Sequence, residues 1–524
     1  MVTRSAIGPP TIQPSFVIAL SGGSVPTHPP TASRWAPPSL RERGVPCGVP
    51  SGSGTVSARH PPPNRPRGLA LVSVRRARYH HAMRHVALLT APWREPVWAL
   101  APFRDEPYAC ALVTGGAGRW SYLLRAPDAT MSLSDKDPAD PFAALAALVG
   151  PRLPSHPEGP PFQGGVVGLG AYELGDRVED LGLSRTDWPD LTCARYPALL
   201  AFDHHARQVI AVGRGEAEAE ANARAADALA WLEVAAPERA EPAGPLCADL
   251  VASDPATYET AVAQVVARIV GGEIFQANIA RAWTGRLAAG VDPFDLFVRL
   301  RAQSPAPFSA YWRLPGRALV SNSPERFLKL DAAGAIQTQP IKGTRPRGRD
   351  PVEDRALAAE LLASDKDRAE NLMIVDLMRN DLARVSPAGS VRAPELFKVE
   401  SFANVHHLVS TVTARLAPGR GVADLLRASF PPGSITGAPK VQAMKVIAEL
   451  EPPRGPYCGS LFWAGVDGAF DSSVLIRTVG LVQDGAGWRL EARAGAGIVA
   501  DSDPRGERLE TEAKIAALKT ALTQ

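Results

Sequence analysis

Apolar and polar positions along the chain change period several times, and each change marks an element. Between residues 85 and 210 most apolar residues fall in short runs or alternate with polar ones, the period of strands. The runs at 109–114 and 120–124 are split by Gly115-Gly116-Ala117-Gly118, a turn sequence. Residues 142–149 and 216–232 read as helices. A proline-punctuated stretch from 236 to 250 reads as a linker. Asp254-Pro255 then supplies a helix cap followed by proline at the first helical position. Tyr258, Val262, Val265, Val266 and Ile269 follow at helical spacing, and Gly271-Gly272 closes the helix. From there to Gln524 strands and helices alternate, with no repeat of fixed period.

Residues 1–82 show neither period. They hold ten Arg, no Lys and one acid, Glu42, with 14 of the 50 prolines. Their formal charge is +9 where the whole chain carries +3, which leaves −6 for residues 83–524. Such a segment is not expected to pack. Three readings of it stand: a start codon placed too early, with Met83 the true start; a disordered basic tail; or a transit peptide. A basic nucleic-acid binder led by this segment is poorly supported, because few aromatics interleave its arginines.

Composition narrows the classes further. Five scattered cysteines, odd in number and without CxxC spacing, argue against a disulfide framework or a zinc site and for a reducing, cytoplasmic setting. No run approaches the roughly 18 apolar residues of a membrane span. Gly164-Gly165-Val-Val-Gly168-Leu-Gly170 lacks dinucleotide-site spacing, and Gly433-Ser-Ile-Thr-Gly-Ala-Pro-Lys440 lacks the phosphate-loop pattern.

Three constellations carry chemistry. Asp503-Pro504 starts a helix on which Glu507, Glu510 and Lys514 fall at i, i+3 and i+7. At ~100° per residue they share a sector of about 60°. Such a trio is most often a solvated face, but the small-residue run 494–502 just upstream resembles a buried strand open to a ligand. The second is residues 367–381, expected to form a mostly buried helix with Glu370 near its start. A carboxylate there can pair with a cation or ligate a hard divalent ion. The third is Gln339-Pro-Ile-Lys342-Gly-Thr-Arg345-Pro-Arg347-Gly348. Lys342 lies between apolar Ile341 and a glycine, close to two arginines, a setting that lowers a lysine pKa.

Together with Ser323-Pro-Glu325-Arg-Phe, Val405-His-His407-Leu-Val-Ser410, Phe430-Pro-Pro-Gly-Ser-Ile-Thr-Gly, Tyr457-Cys-Gly459, Ile476-Arg477-Thr478 and the 495–514 end, these segments resemble the chorismate-utilising enzymes. That family includes anthranilate, aminodeoxychorismate, isochorismate and salicylate synthases. The likeness runs from about 255 to 522. A weaker one, in Gly118-Arg-Trp-Ser-Tyr and residues 161–172, covers the first half. It implies an α+β, anthranilate synthase component I-like fold of large packed antiparallel sheets with helices outside. The domains expected are a leader at 1–82, an N-terminal domain at 83–240 and a chorismate-binding catalytic domain at 250–524.

Within the family, Pro-Ile-Lys342-Gly-Thr resembles the aminodeoxychorismate branch; anthranilate synthases generally carry alanine in place of the lysine. Gln276 stands where isochorismate and salicylate synthases have a water-activating lysine. The resemblance implies that Lys342 adds to the ring, that Glu325 is the general acid/base, and that His407 orients the substrate or assists at the leaving group. It implies Arg477, Tyr457, Lys514, Thr436 and the backbone of Gly495 and Gly497 as substrate contacts. Mg²⁺ would be held by Glu370 and Glu510, with Glu507 through water. The substrates would be chorismate and ammonia, the latter from a separate glutamine amidotransferase subunit. Alternatives are anthranilate synthase component I and a non-catalytic chorismate or tryptophan sensor.

Overall fold

A computed structural model describes residues 83–524, apart from 116–117, 236–241, 243, 248 and 402–404. The readings of the 1–82 leader therefore lie outside the described residues, as do parts of the 115–118 turn and of the 236–250 linker.

Elements with a clean period fall where the pattern puts them. The first two apolar runs form the strands Cys110–Val113 and Trp120–Leu124. Helices occupy Pro141–Val149, Glu218–Ala230 and Pro255–Val270. Asp140 and Asp254 cap the first and third by accepting from the backbone N–H of Phe142 and Thr257. A cap of this kind contributes about 1 kcal/mol.

Among the described residues the strands build two antiparallel sheets, of twelve and ten strands. Both draw on both halves of the chain. In the larger, Cys110–Val113 pairs with Phe308–Leu314, which places Ala111 opposite Tyr311. In the smaller, Gly165–Gly170 pairs with Ser460–Gly465. Gly168 is required at that seam, because a Cβ there would lie 2.2 Å from the Phe462 ring. Segments 83–240 and 250–524 thus share both sheets.

The sheets face one another across an apolar layer. Tyr122, Val212 and Trp312 come from the larger sheet, and Val167, Ala194 and Leu461 from the smaller. Helices cover the outer faces. The C-terminal helix Pro504–Thr523 lays Ile515 and Leu518 on the larger sheet beside Ala492. The helix Asp365–Ala383 packs Ile374, Val375 and Met378 against Leu328 and Val412 of the smaller. Fully burying a side chain of this size contributes about 1.5–3 kcal/mol. This helix is less buried than the sequence suggested, since Leu372 is 43 % exposed and only one stripe meets the sheet. No helix among the described residues is long and apolar enough to cross a membrane.

Candidate active site

Strand Ile341–Pro346 pairs with Val405–Arg415, and its register slips between Lys342 and Thr344. Gly343 absorbs the slip at φ +78°, a left-handed conformation open to glycine. The bulge sets Lys342 opposite Leu408 and Thr344 opposite His407. Thr344 Oγ1 lies 2.9 Å from His407 Nδ1. Lys342 Nζ stands 3.3 Å from the point a Cβ on Gly497 would occupy.

Burial lowers the Lys342 pKa; Lys514 acts in the same direction, while Glu370, Glu325 and Glu510 oppose it. The source of the positive field differs from the sequence reading. Arg345 is held by Glu360 and Asp367, and Arg347 by Asp354. The cation acting on Lys342 is Lys514, delivered by the C-terminal helix.

Gly495 and Gly497 lie on strand Gly487–Ile498, paired with Gln276–Arg286. Lys514 Nζ donates to the Gly495 carbonyl at 3.0 Å. A Cβ at Gly495 would meet Asn278 Oδ1 at 2.6 Å and the Tyr457 hydroxyl at 2.8 Å; one at Gly497 would meet Gln276 Nε2 at 2.9 Å. Neighbouring atoms already stand where a side chain at either glycine would go, so the bare backbone packs directly against Asn278, Tyr457, Gln276 and Lys342.

Glu325 follows strand Arg317–Ser323 and is 8 % exposed. Burial raises its pKa, and a 2.7 Å hydrogen bond donated by Ser434, with the charges of Lys342 and Lys514, lowers it. Ser434 belongs to the 430–440 loop, which Lys440 ties to the Asp365–Ala383 helix by donating to Asp381 at 2.6 Å and to the Ser429 carbonyl at 2.7 Å. Thr436 is fully buried, and its hydroxyl donates to the Pro432 carbonyl at 2.9 Å, so its proton serves the loop. Neither Ser434 nor Lys440 stands out individually in the sequence; both are polar positions inside the 430–440 motif.

Arg477 holds φ +53°, a strained backbone of the kind that gathers at functional sites. Burial lowers its pKa while Tyr457 opposes. Burial also lowers the His407 pKa, countered by a backbone bond at Gly343 and reinforced by Arg477. Burial pushes the Tyr457 hydroxyl well above its usual range, which keeps it a donor.

Glu370 comes from the Asp365–Ala383 helix, Glu507 and Glu510 from the C-terminal one. Asp503 caps the latter by accepting from Gly506 N–H. Burial raises the pKa of Glu370 and of Glu507, and the charge of Glu510 adds to both. Glu507 accepts from the Ser502 hydroxyl at 2.6 Å, and Glu510 pairs with Lys514 at 2.6 Å. Among the described residues no three His, Cys, Asp or Glu side chains form a metal cage. Glu370 and Glu507, desolvated and repelled by Glu510, nonetheless have the donor chemistry that suits Mg²⁺, which takes few protein ligands and completes its shell from substrate and water.

A model of the family described as chorismate binding enzyme matches residues 108–520. The chain belongs to that family. This chorismate binding enzyme is 40 % identical over 455 residues to aminodeoxychorismate synthase component 1 of Klebsiella aerogenes, covering 82 % of the chain and 97 % of the relative. It is 39 % identical over 429 residues to anthranilate synthase component 1 of Streptomyces coelicolor, covering 78 % and 82 %. The crystal structure of anthranilate synthase component I from Streptococcus pneumoniae TIGR4 matches with a TM-score of 0.68 at 28 % identity, covering 78 % of this chain and 93 % of that one. The α+β fold, with large antiparallel sheets and helices outside, is the one the sequence motifs implied.

Proposed function

We propose that this chorismate binding enzyme converts chorismate and ammonia to 4-amino-4-deoxychorismate. The observation that carries the reading is Lys342, an amine whose burial lowers its pKa and whose Nζ lies against the bare backbone of Gly497. Neutral Nζ adds to ring carbon 2, the two ring double bonds shift, and the carbon 4 hydroxyl leaves. Glu325, its proton held more tightly because it is buried, gives the proton that lets the hydroxyl leave as water, and the adduct nitrogen releases one in return. Ammonia then forms the bond at carbon 4 while the lysine bond at carbon 2 breaks. One proton passes from the incoming nitrogen to the departing lysine. One hard displacement becomes two easier ones.

A dicarboxylate needs cations and donors. Arg477 offers a planar fork, Tyr457 a hydroxyl, Lys514 a point charge, and Gly495 and Gly497 a bare backbone. His407, whose pKa burial lowers, orients the ring or assists at the leaving group. Mg²⁺, when bound, neutralises the ring carboxylate; Glu370 and Glu510 would hold it, with Glu507 through water.

Ammonia comes, in this reading, from a separate glutamine amidotransferase subunit in the cytoplasm. The relatives' designation as component 1 supports a second component. Cys458 is unsuited to a glutaminase nucleophile, because burial pushes its thiol up to about 12. A lyase would then release pyruvate to give 4-aminobenzoate for folate synthesis. The second reading, anthranilate formation, rests on the Streptomyces coelicolor relative and leaves Lys342 without a task as nucleophile.

Intact-mass analysis of the protein with chorismate and Mg²⁺, without ammonia, tests the lysine. A single adduct that vanishes in Lys342→Ala is expected. Retained activity in Lys342→Ala, or an adduct on another lysine, overturns the reading.

A further inference from the structure

Strand Ile341–Pro346, which carries Lys342, stands at one end of the ten-stranded sheet. Among the described residues it pairs with one strand, Val405–Arg415. An edge strand with a bulge is weakly held in register, and a slip of one residue would turn Lys342 to the opposite face. The helices Pro351–Ala363 and Asp365–Ala383 pack against this strand and meet it with acids. Arg345 donates to Glu360 at 2.8 Å and to Asp367 at 3.2 Å. Arg347 and the Gly348 N–H donate to Asp354 at 2.7 and 2.8 Å.

Asp367 differs from the other two acids because it also touches the bulge. A Cβ on Gly343 would lie 2.8 Å from Asp367 Cγ and 3.0 Å from its Cβ, so the carboxyl rests on the backbone between Lys342 and Thr344. One side chain thus bears on the bulge and grips the residue two positions beyond it. Asp367 is itself fixed, since its N–H donates to the hydroxyl of Ser364, the cap of its helix. Glu370 follows three residues later, on the same helical face. The Arg345–Asp367 pair therefore sets the lysine strand against the helix that carries Glu370. Its side chains are 24 % and 17 % exposed, and a partly exposed ion pair adds little to stability. What it supplies is register.

We infer that Asp367, resting on Gly343 and paired with Arg345, is a positioning residue that aims Lys342 Nζ at ring carbon 2. Asp367 carries no proton in the reaction, and its role rests on the proposed addition of Lys342 to the ring.

Single-turnover formation of the chorismate adduct, followed by intact mass with saturating Mg²⁺ and no ammonia, tests it. The variants are Asp367→Ala, Asp367→Asn, Arg345→Met and the double variant Asp367→Ala/Arg345→Met. Asp367→Ala and Arg345→Met should each slow the adduct at saturating chorismate at least about tenfold, because the amine is misplaced. The half-saturating chorismate concentration should stay within about threefold of that of the unaltered protein. Residues acting as one unit are not additive, so the double variant should be within about threefold of the slower single one. Asp367→Asn, which keeps an oxygen for Arg345, should recover the rate to within about threefold of the unaltered protein. A role in stability alone would lower the fraction of protein that forms adduct and leave the rate of that fraction unchanged. That result overturns the inference, as does a double variant slowed by the product of the two single effects, or Asp367→Asn as slow as Asp367→Ala. Absence of the adduct from the unaltered protein overturns the lysine reading, and this inference with it.

Discussion

The Ser434 hydroxyl donates a 2.7 Å hydrogen bond to Glu325 Oε1. A bond to the carboxylate favours the charged form, so it opposes the rise that burial imposes on Glu325. Loss of the bond leaves burial less opposed, and the pKa rises further. In Ser434→Ala the limb of the kcat/KM–pH profile governed by Glu325 should therefore move to higher pH, with the chorismate KM changed by less than about twofold. A profile that superposes on the original contradicts this coupling.

Lys440 and Asp381 form the ion pair that anchors the Ser434 loop, with side chains 12 % and 4 % exposed. Removing one partner strands a buried charge, at a cost of about 3–5 kcal/mol. Lys440→Met should lower the free energy of unfolding by that order, and Lys440→Met/Asp381→Leu should recover at least about half of the loss. Denaturant titration of both variants measures it. Equal destabilisation of the single and double variants would show that the pair is not the anchor.

Gly343 is where the bulge that presents Lys342 is made. A Cβ there would lie 2.8 Å from Asp367 Cγ and 2.8 Å from Leu361 Cδ1, at φ +78°. Gly343→Ala should cost about 1–2 kcal/mol of stability. It should also lower kcat by at least about tenfold, because Lys342 is displaced. Thermal melts and initial rates separate the two effects. Unaltered kcat would mean that the bulge does not set the lysine.

The carboxylates of Glu370 and Glu510 are the proposed Mg²⁺ ligands. EDTA should abolish activity, and Glu370→Gln should raise the Mg²⁺ concentration for half-maximal rate by at least about tenfold. Activity that persists in EDTA removes the metal from the account.

Much of this arrangement is written locally in the chain. Asp254-Pro255 and Asp503-Pro504 cap helices that form where the caps stand. The spacing of Glu507, Glu510 and Lys514 places them on one helical face because 3.6 residues make a turn. What escapes a local reading depends on partners far along the chain. The bulge at Gly343 exists only against the His407 strand. Ser434 meets Glu325 across 109 residues of sequence. The cation that acts on Lys342 is Lys514, from the C-terminal helix, whereas Arg345 and Arg347 pair with acids on the helix that follows them. Leu372 is exposed since a helix laid on a sheet buries one stripe only.

Product analysis tests the central claim most directly. The protein is incubated with chorismate, Mg²⁺ and ammonium, with and without an aminodeoxychorismate lyase. The account predicts 4-aminobenzoate only when the lyase is present and no anthranilate fluorescence in either reaction. Anthranilate formed without the lyase would contradict it.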